Sequence, residues 1–173
     1  PFMRLRETEI AGIPARVFRV SFSGELSYEI NVPADCGATL WERLVEAGAA
    51  TLTLHPRSAK QMYTGEADHS LTAELVERVD VPVIASGDVT SRPRAQTLLA
   101  TTGAAAVMVG RAAQGNPWAI REIVGDSDEE PTREEVVAEL VLFMRETARE
   151  LGERKATGFL KKFYGWYLGR GRF

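Results

Sequence analysis

Residues 81–91 read VPVIASGDVTS, residues 92–103 read RPRAQTLLATTG, and residues 105–118 read AAVMVGRAAQGNPW. The first and third segments open with short, almost wholly apolar runs, which are typical of strands buried on both faces. The middle segment has the length and pattern of a helix. Strand, helix and strand in this order predict parallel strands joined by a crossover helix.

The same alternation extends to both sides of this stretch. Residues 51–56, TLTLHP, are a predicted strand, residues 70–79, SLTAELVERV, a predicted helix, and residues 117–124, PWAIREIV, a further helix. Successive strand-helix units predict an α/β fold with a parallel sheet, but three units are too few to close a barrel of about eight strands. We therefore expect a partial (β/α) barrel over residues 49–125.

The segment before this alternation predicts a β-hairpin and one helix. Residues 15–23, ARVFRVSFS, and residues 26–33, LSYEINVP, are rich in β-branched and aromatic residues, with Gly24-Glu25 as the turn between them. Over residues 38–47 apolar side chains recur at helical spacing, and a glycine follows as a stop signal. Residues 1–48 are therefore expected to form a hairpin-and-helix piece of their own.

The segment after residue 125 predicts two long helices. Thr132 is a predicted N-cap, and Glu135, three residues later, completes a capping box. One helix is expected over 133–151 and a second over 153–168, before glycines near the C-terminus loosen the chain. Residues 126–173 are therefore expected to form a separate helical segment.

The composition is that of an ordinary globular domain. The chain has 173 residues, 45% of them hydrophobic and 26% charged, which is enough for a core and does not indicate disorder. Cys36 is the single cysteine, which excludes an internal disulfide framework and a multi-cysteine metal site. No apolar run approaches the roughly 18 residues of a membrane span, and the first residues lack a signal-peptide pattern. We expect a cytoplasmic protein without a membrane partner, and Pro1 suggests that an upstream segment is missing.

Two strand-to-helix turns form the strongest candidate site. Glycine at the end of a strand lets the backbone approach an anion closely, and the N–H groups that open the next helix favour phosphate. The phosphate-site candidates are Ser86, Gly87, Asp88, Gly110 and Arg111. The alternative is that the two glycines only make tight turns.

His55 and Arg57 form a second candidate pair at the end of the strand TLTLHP. Two residues apart on an extended chain, they are expected on the same side, where they could meet one ligand. The histidine could donate to a flavin carbonyl or a base, and the arginine could pair with phosphate. The alternative is a structural histidine whose hydrogen bonds are satisfied within the fold.

The last helix combines a basic and an aromatic face. Residues 126–153 hold ten acidic and three basic residues, whereas residues 154–173 hold six basic and no acidic ones, so an anionic partner is expected at the C-terminus. At about 100° per residue, four cations fall within an arc of about 120°. These are Arg154, Lys155, Lys161 and Lys162, and the opposite side carries Phe159, Leu160, Phe163, Tyr164, Trp166 and Tyr167. The basic face, with Arg170 and Arg172, predicts RNA-backbone binding; the alternative is a packed helix with a solvated rim.

These segments together resemble a known family. LTLHPRSAKQMYTGEAD, VPVIASGDVTS, GAAAVMVGRAAQGNPW and RKATGFLKKFYGWYL are similar, in order and spacing, to the C-terminal half of a bacterial tRNA-dihydrouridine synthase, from about residue 44 onward. The resemblance implies the last three βα units of a TIM-type barrel and a helical tRNA-binding segment. It further implies an FMN- and NADPH-dependent reduction of the 5,6 double bond of uridine in tRNA, with tRNA as partner.

The resemblance also implies roles for residues. Ser86 to Asp88 and Gly110-Arg111 would contact the flavin phosphate, and His55 with Arg57 would line the flavin site. The family usually has asparagine where Ser86 stands. The family's catalytic cysteine, a general acid, and its flavin-contacting lysine belong to strands that precede this stretch, so that another chain completing the barrel is a further expected partner. Cys36, in PADCG, matches no family motif and is expected to be an inert packing residue.

The N-terminal piece resembles a different family. FMRLRETEIAGIPARVFRVSFSGELSYEINVP is similar to part of the folate-binding aminomethyltransferase domain, as found in the large subunit of sarcosine oxidase. That resemblance implies that Glu25 contacts the pterin of tetrahydrofolate; the alternative is a solvated turn glutamate. The two resemblances join within LWERLVEAGAA.

Three functions follow as hypotheses. The first is a fragment of an FMN-dependent tRNA-modifying oxidoreductase. The second is a fragment of a folate-dependent one-carbon enzyme, and the third is a non-catalytic module that binds phosphate or RNA. Flavin absorbance, folate protection and RNA binding without flavin would distinguish them.

Overall fold

The computed structural model of the chain describes residues 4–19, 28–58, 60–62, 64–127 and 129–170, with the backbone alone at residue 170. The chain forms two compact units. The first comprises Pro1–Ala85 with Thr101–Ala106, and the second comprises Ser86–Ala100 with Val107–Phe173.

The first unit opens with an antiparallel sheet of three strands in the order β1-β2-β3. These strands are β1 Leu5–Ile10, β2 Ile13–Phe18 and β3 Glu29–Asn31. The predicted hairpin is confirmed in that β2 and β3 pair, with Arg16 opposite Asn31; its turn at Gly24-Glu25 lies outside the described residues.

Strand β1 was not expected from the sequence. It pairs with β2 along its whole length, from Leu5 opposite Phe18 to Ile10 opposite Ile13. The two strands join through Ala11 and Gly12, both with positive φ, as the tightest hairpin turns require. The sequence prediction missed this turn because alanine seldom adopts positive φ.

The rest of the first unit packs helices on short parallel strands. A 3-10 turn leads into α1 Gly37–Glu46, followed by β4 Leu52–Leu54, α2 Ser70–Arg78 and β5 Val83–Ser86. Strands β4 and β5 pair in parallel, which confirms the expected α/β class with a parallel sheet. Leu52, Leu75 and Val83 form the core between them, and Trp41, Leu44 and Val45 pack against it.

The chain continues through α3 Arg92–Thr102 and β6 Ala106–Met108, and the sheet order is β4-β5-β6. In the second unit a compact apolar cluster follows the ends of these strands. Val89, Ala95, Leu98 and Ile123 are buried together, and Val107 and Val109 pack against them. Ile123 belongs to α4 Ala119–Val124, the helix that the sequence placed over residues 117–124.

Two long helices end the second unit, α5 Arg133–Leu151 and α6 Glu153–Arg170. Their contact is aromatic: the ring of Phe143 lies 5.0 Å from that of Phe163 and 6.1 Å from that of Tyr167, measured between centroids. The expected end of α6 near residue 168 is wrong, because the helix continues through Gly169. A helical glycine costs only about 1 kcal/mol, which packing elsewhere along a helix can offset.

The predicted capping box is confirmed at the start of α5. The Glu135 amide donates to the Thr132 hydroxyl at 3.2 Å, and the Thr132 amide donates to the Glu135 carboxylate at 2.7 Å. The hydrogen bond from the Thr132 amide, supported by the Thr132 hydroxyl, lowers the pKa of the Glu135 carboxyl. The box therefore needs an ionised Glu135.

We expect Thr132→Ala to lower the free energy of unfolding by about 1 kcal/mol, because one N-terminal amide of α5 loses its acceptor. Urea unfolding at neutral pH measures this, and Thr132→Ser is the control that keeps the hydroxyl. Because the pKa of Glu135 is lowered in the folded chain, the box contributes fully above the ordinary glutamate pKa. The contribution is lost as the pH falls through the lowered value. Because the alanine variant keeps the backbone amide of residue 132, the difference between parent and variant should shrink in acid only by the part due to the Thr132 hydroxyl.

Candidate functional site

The two turns predicted to bind phosphate are joined by an ion pair in the second unit. Gly87 has a φ of 116° and Asp88 a φ of 57°, so the chain turns sharply as soon as β5 ends. That turn aims the Asp88 carboxylate at the residue after Gly110, and Asp88 Oδ1 lies 3.2 Å from a terminal nitrogen of Arg111. Ser86, the last residue of β5, is buried.

The apolar cluster beneath these turns holds them in place. Val89 follows Asp88 directly and is 3% exposed, and Val109, which precedes Gly110, packs against the same cluster. Burial of Val89 and the packing of the partly buried Val109 fix where each strand ends and so where the two charged side chains emerge. In the sequence, this placement of the two turns is indicated by Val89 directly after Asp88 and by Val109 directly before Gly110.

The local geometry at Gly110 fits a bound anion. A Cβ atom built on Gly110 would meet no atom within 4 Å, so the backbone faces open space there. The Asp88 side chain is 18% exposed and the Arg111 side chain 48% exposed, so the guanidinium remains accessible beside its carboxylate partner. An open backbone, a cation and a glycine turn together suit a phosphate group.

The helix openings differ from expectation. Ser91 caps α3, because its hydroxyl accepts from the Arg94 amide at 3.4 Å. After Gly110 the chain forms a 3-10 turn over Arg111–Ala113, and α4 begins only at Ala119. The expectation that an α-helix opens directly after Gly110 is therefore wrong. The groups near Gly110 that could attract an anion are the local backbone amides and the Arg111 guanidinium.

Residues between the turn and α4 approach α6 very closely. A Cβ atom on Gly115 would lie 2.5 Å from Trp166 Cβ and 3.1 Å from the Trp166 carbonyl carbon, and the φ of Gly115 is +64°. The next residue, Asn116, is 9% exposed, and its Oδ1 has no hydrogen-bond partner in the described part of the chain. This contact was not predicted from the sequence, although a glycine before Asn-Pro is a signal for a special backbone conformation.

We expect Gly115→Ala to destabilise the second unit by about 2 to 4 kcal/mol, since the added methyl meets backbone atoms and the left-handed conformation is itself costly. Gly158→Ala is the matched control. Gly158 lies within α6 with open space around it, so the same change there should stabilise by about 0.5 to 1 kcal/mol. Thermal and urea unfolding of both variants measure the difference, and equal effects would contradict the close-approach argument.

His55 and Arg57 belong to the first unit. Strand β4 ends at Leu54, and the Arg57 amide donates to the His55 carbonyl at 2.8 Å across Pro56. The chain there is a tight turn, so the expectation of an extended segment with both side chains on one side is wrong. Proline, with its fixed φ, favours such a turn. The Arg57 guanidinium donates to the Gly65 carbonyl at 2.6 Å, while His55 is exposed.

The basic arc of α6 is exposed as predicted. It comprises Arg154, Lys155, Lys161 and Lys162. No carboxylate in the described part of the chain lies within ion-pair distance of these four cations. The side chain of Arg170 and the whole of Arg172 lie outside the described residues, as does Glu25.

The aromatic side of α6 differs in part from expectation. Leu160 and Tyr167 are buried, but Phe159 is 40% and Trp166 39% exposed. On a helix of about 100° per residue, these two lie only about 20° to 40° beyond Lys155, at the border of the basic arc. The Lys162 ammonium lies 4.7 Å from the centroid of the Phe159 ring. Aromatic rings and cations therefore share one exposed surface.

Cys36 ends the 3-10 turn that precedes α1 and is half-buried. Desolvation, followed by the neighbouring Asp35 carboxylate, raises the pKa of its thiol. A raised pKa disfavours the thiolate, which agrees with the expected unreactive residue.

Among the described residues no cluster of three or more His, Cys, Asp or Glu could hold a metal ion. None of the helices described is long and apolar enough to cross a membrane.

Comparison with known proteins assigns the family. The profile of the dihydrouridine synthases matches residues 34–170. tRNA-dihydrouridine synthase B of Pseudomonas aeruginosa is 34% identical over 137 residues, which are 76% of this chain and 41% of that protein. The Proteus vulgaris protein of the same name is 37% identical over 126 residues, 70% of this chain and 39% of that protein.

A probable tRNA-dihydrouridine synthase of Rhizobium leguminosarum bv. phaseoli is 38% identical over 128 residues, 74% of this chain and 40% of that protein. The chain thus spans about two fifths of the length of the curated relatives that it matches. The matched residues include both glycine turns and both long helices. The chain belongs to the dihydrouridine synthase family.

Proposed function

We propose that this chain is part of an FMN-dependent tRNA-dihydrouridine synthase and contributes the flavin-phosphate contacts and a tRNA-binding helix. The observation that carries the proposal is the Asp88–Arg111 pair at two glycine turns, within a chain of this family. In this proposal β4, β5 and β6 with their helices are part of a TIM-type barrel. The loops after the last barrel strands commonly bind phosphate in such folds.

The residues at these turns would hold the phosphate of FMN. Gly110 leaves space for a phosphate oxygen to approach the backbone, and Arg111 supplies the positive charge. Asp88 positions the guanidinium by accepting one of its hydrogen bonds. FMN held there would supply the hydride for reduction of the uracil ring, with NADPH as the reductant.

His55 and Arg57 are proposed to line the flavin ring. The exposed His55 ring could donate to a flavin carbonyl. The Arg57 bond to the Gly65 carbonyl holds the loop that follows β4 in a fixed shape. Arg57 is therefore proposed to act by shaping this loop.

Cys36 has no catalytic role in this proposal. A cysteine that protonates the reduced uracil must reach the ring, whereas Cys36 contacts Asp35 at the start of α1. Its single neighbouring acceptor and its raised thiol pKa indicate a structural residue. The general acid of the reaction would come from residues that precede this stretch in the family.

We expect FMN to bind weakly to the 173-residue chain, and Gly110→Asp to weaken binding at least about tenfold. A carboxylate a few ångströms from a phosphate costs on the order of 2 to 4 kcal/mol near a protein surface. Titration followed by FMN fluorescence measures the affinity. Gly158→Asp is the matched control, because that glycine also lies in open space and gains the same charge. If Gly110→Asp and Gly158→Asp weaken FMN binding equally, or if neither weakens it, the FMN phosphate does not bind at the two glycine turns.

The exposed surface of α6 is proposed to contact the tRNA backbone. Lys161 and Lys162 supply charge, and Phe159 and Trp166 supply rings at the border of the basic arc. Cations neutralise phosphates, and exposed rings can stack on unpaired bases. The absence of ion pairs to these lysines within the described chain leaves their charge to a polyanion.

We expect Lys161→Glu with Lys162→Glu to weaken tRNA binding and to flatten its salt dependence. If about four phosphates are contacted, the slope of log affinity against log salt lies between about −3 and −4, and loss of two contacts reduces its magnitude by about 1.5 to 2. The control reverses two exposed arginines on other helices, Arg43 and Arg145. An unchanged slope in the folded double lysine variant would leave α6 as a packing helix only.

A further inference from the structure

Three arginines gather on one face of the N-terminal sheet. Arg4 and Arg6 are two residues apart at the start of β1 and therefore point to the same face. Arg6 lies opposite Val17, and the Arg19 amide donates to the Arg4 carbonyl at 3.1 Å. Arg19, two residues beyond Val17, thus stands beside Arg4 on this face, which we call the arginine face.

The other face of the same strands carries two acidic side chains, Glu7 and Glu9, and one basic side chain, Arg16. Glu7 lies opposite Arg16, and their side chains form an ion pair at 3.2 Å. Among the described residues of this sheet it is the one ion pair. Like charges on neighbouring strands are unfavourable, so the arginine face carries a repulsion that the other face does not.

The arginine face borders an open depression of about 390 Å³. It is lined by Arg4, Arg6, Thr8, Val17, Arg19 and Tyr28. The described lining residues combine three guanidinium groups with a hydroxyl, a phenol and one apolar side chain, and none of them is a carboxylate. The volume is that of a site for a small molecule, and Tyr28, at 55% exposed, offers its ring at the edge.

We propose that the arginine face binds a small multivalent oxyanion, one that carries two or more phosphate or carboxylate groups. A guanidinium presents a planar pair of N–H donors that matches either a phosphate or a carboxylate group. Three guanidinium groups carry more positive charge and more donors than one singly charged anion can pair with. The anion relieves the repulsion between Arg4 and Arg19. The site lies before residue 34, outside the family match, and is independent of the proposed FMN and tRNA contacts.

The test is isothermal titration of the full chain with pyrophosphate and, separately, with citrate. The titrations are made in the Gly110→Asp background so that the glycine turns do not contribute. Arg19→Gln removes one positive charge from the arginine face. Arg16→Gln is the control, because it removes the same charge three residues away, from the opposite face of the sheet. We expect at least one anion to bind to the background protein, and Arg19→Gln to weaken it about tenfold while Arg16→Gln leaves it within about twofold.

The two anions distinguish the sources of the ligand, since binding of pyrophosphate alone indicates a phosphorylated compound and binding of citrate alone a polycarboxylate. Arg6→Gln is a second variant and should reproduce Arg19→Gln. A separate readout is the ring signal of Tyr28 in spectra of tyrosine-labelled protein, which should shift on addition of the anion. Equal weakening in Arg19→Gln and Arg16→Gln, no binding of either anion, or an unmoved Tyr28 signal would each overturn the proposal.

Discussion

The close approach of Gly115 to Trp166 is the constraint on which the second unit depends. A methyl group there would lie 2.5 Å from a side-chain carbon of α6, so the loop after the Arg111 turn can lie this near the helix only without a side chain. The same helix contacts α5 through Phe163 and Tyr167. One glycine thus allows the loop that follows Arg111 to lie directly against α6.

The charges of the second unit differ between the packed and the exposed side of α6. Burial, followed by the Glu139 carboxylate, raises the pKa of Tyr167, which keeps its phenol neutral on the packed side of α6. Arg149 is paired with Glu146 and Glu150 within α5. Glu146 and Glu150 are thus engaged within α5, and the exposed arc of α6 is a basic surface.

The regular elements could be predicted because their patterns are local. The bounds of α5 agree with the sequence prediction because the capping box fixes its start, and Gly152, with a φ of 75°, ends it. The hairpin turn at Ala11 was missed because alanine seldom adopts positive φ. The turn between His55 and Arg57 was missed although Pro56 favours it, because the apolar run before it was extended through these residues. Exposure of Phe159 and Trp166 was also missed, because helical periodicity places a residue on a face but does not show where a neighbouring element stops covering it.

The candidate phosphate site shows the same division between local and tertiary information. Glycine after a strand could be read from the sequence, and so could the charge of Arg111. The pairing of Arg111 with Asp88, 23 positions earlier, could not, because it arises from two strands ending over one apolar cluster. That pairing has a chemical consequence. A carboxylate beside the cation reduces the attraction for an anion and holds the guanidinium in one orientation. The site is therefore expected to bind an anion more weakly but with a fixed arrangement of donors. Such a site suits a ligand whose binding free energy comes mainly from contacts elsewhere, because the site orients the phosphate and adds little affinity.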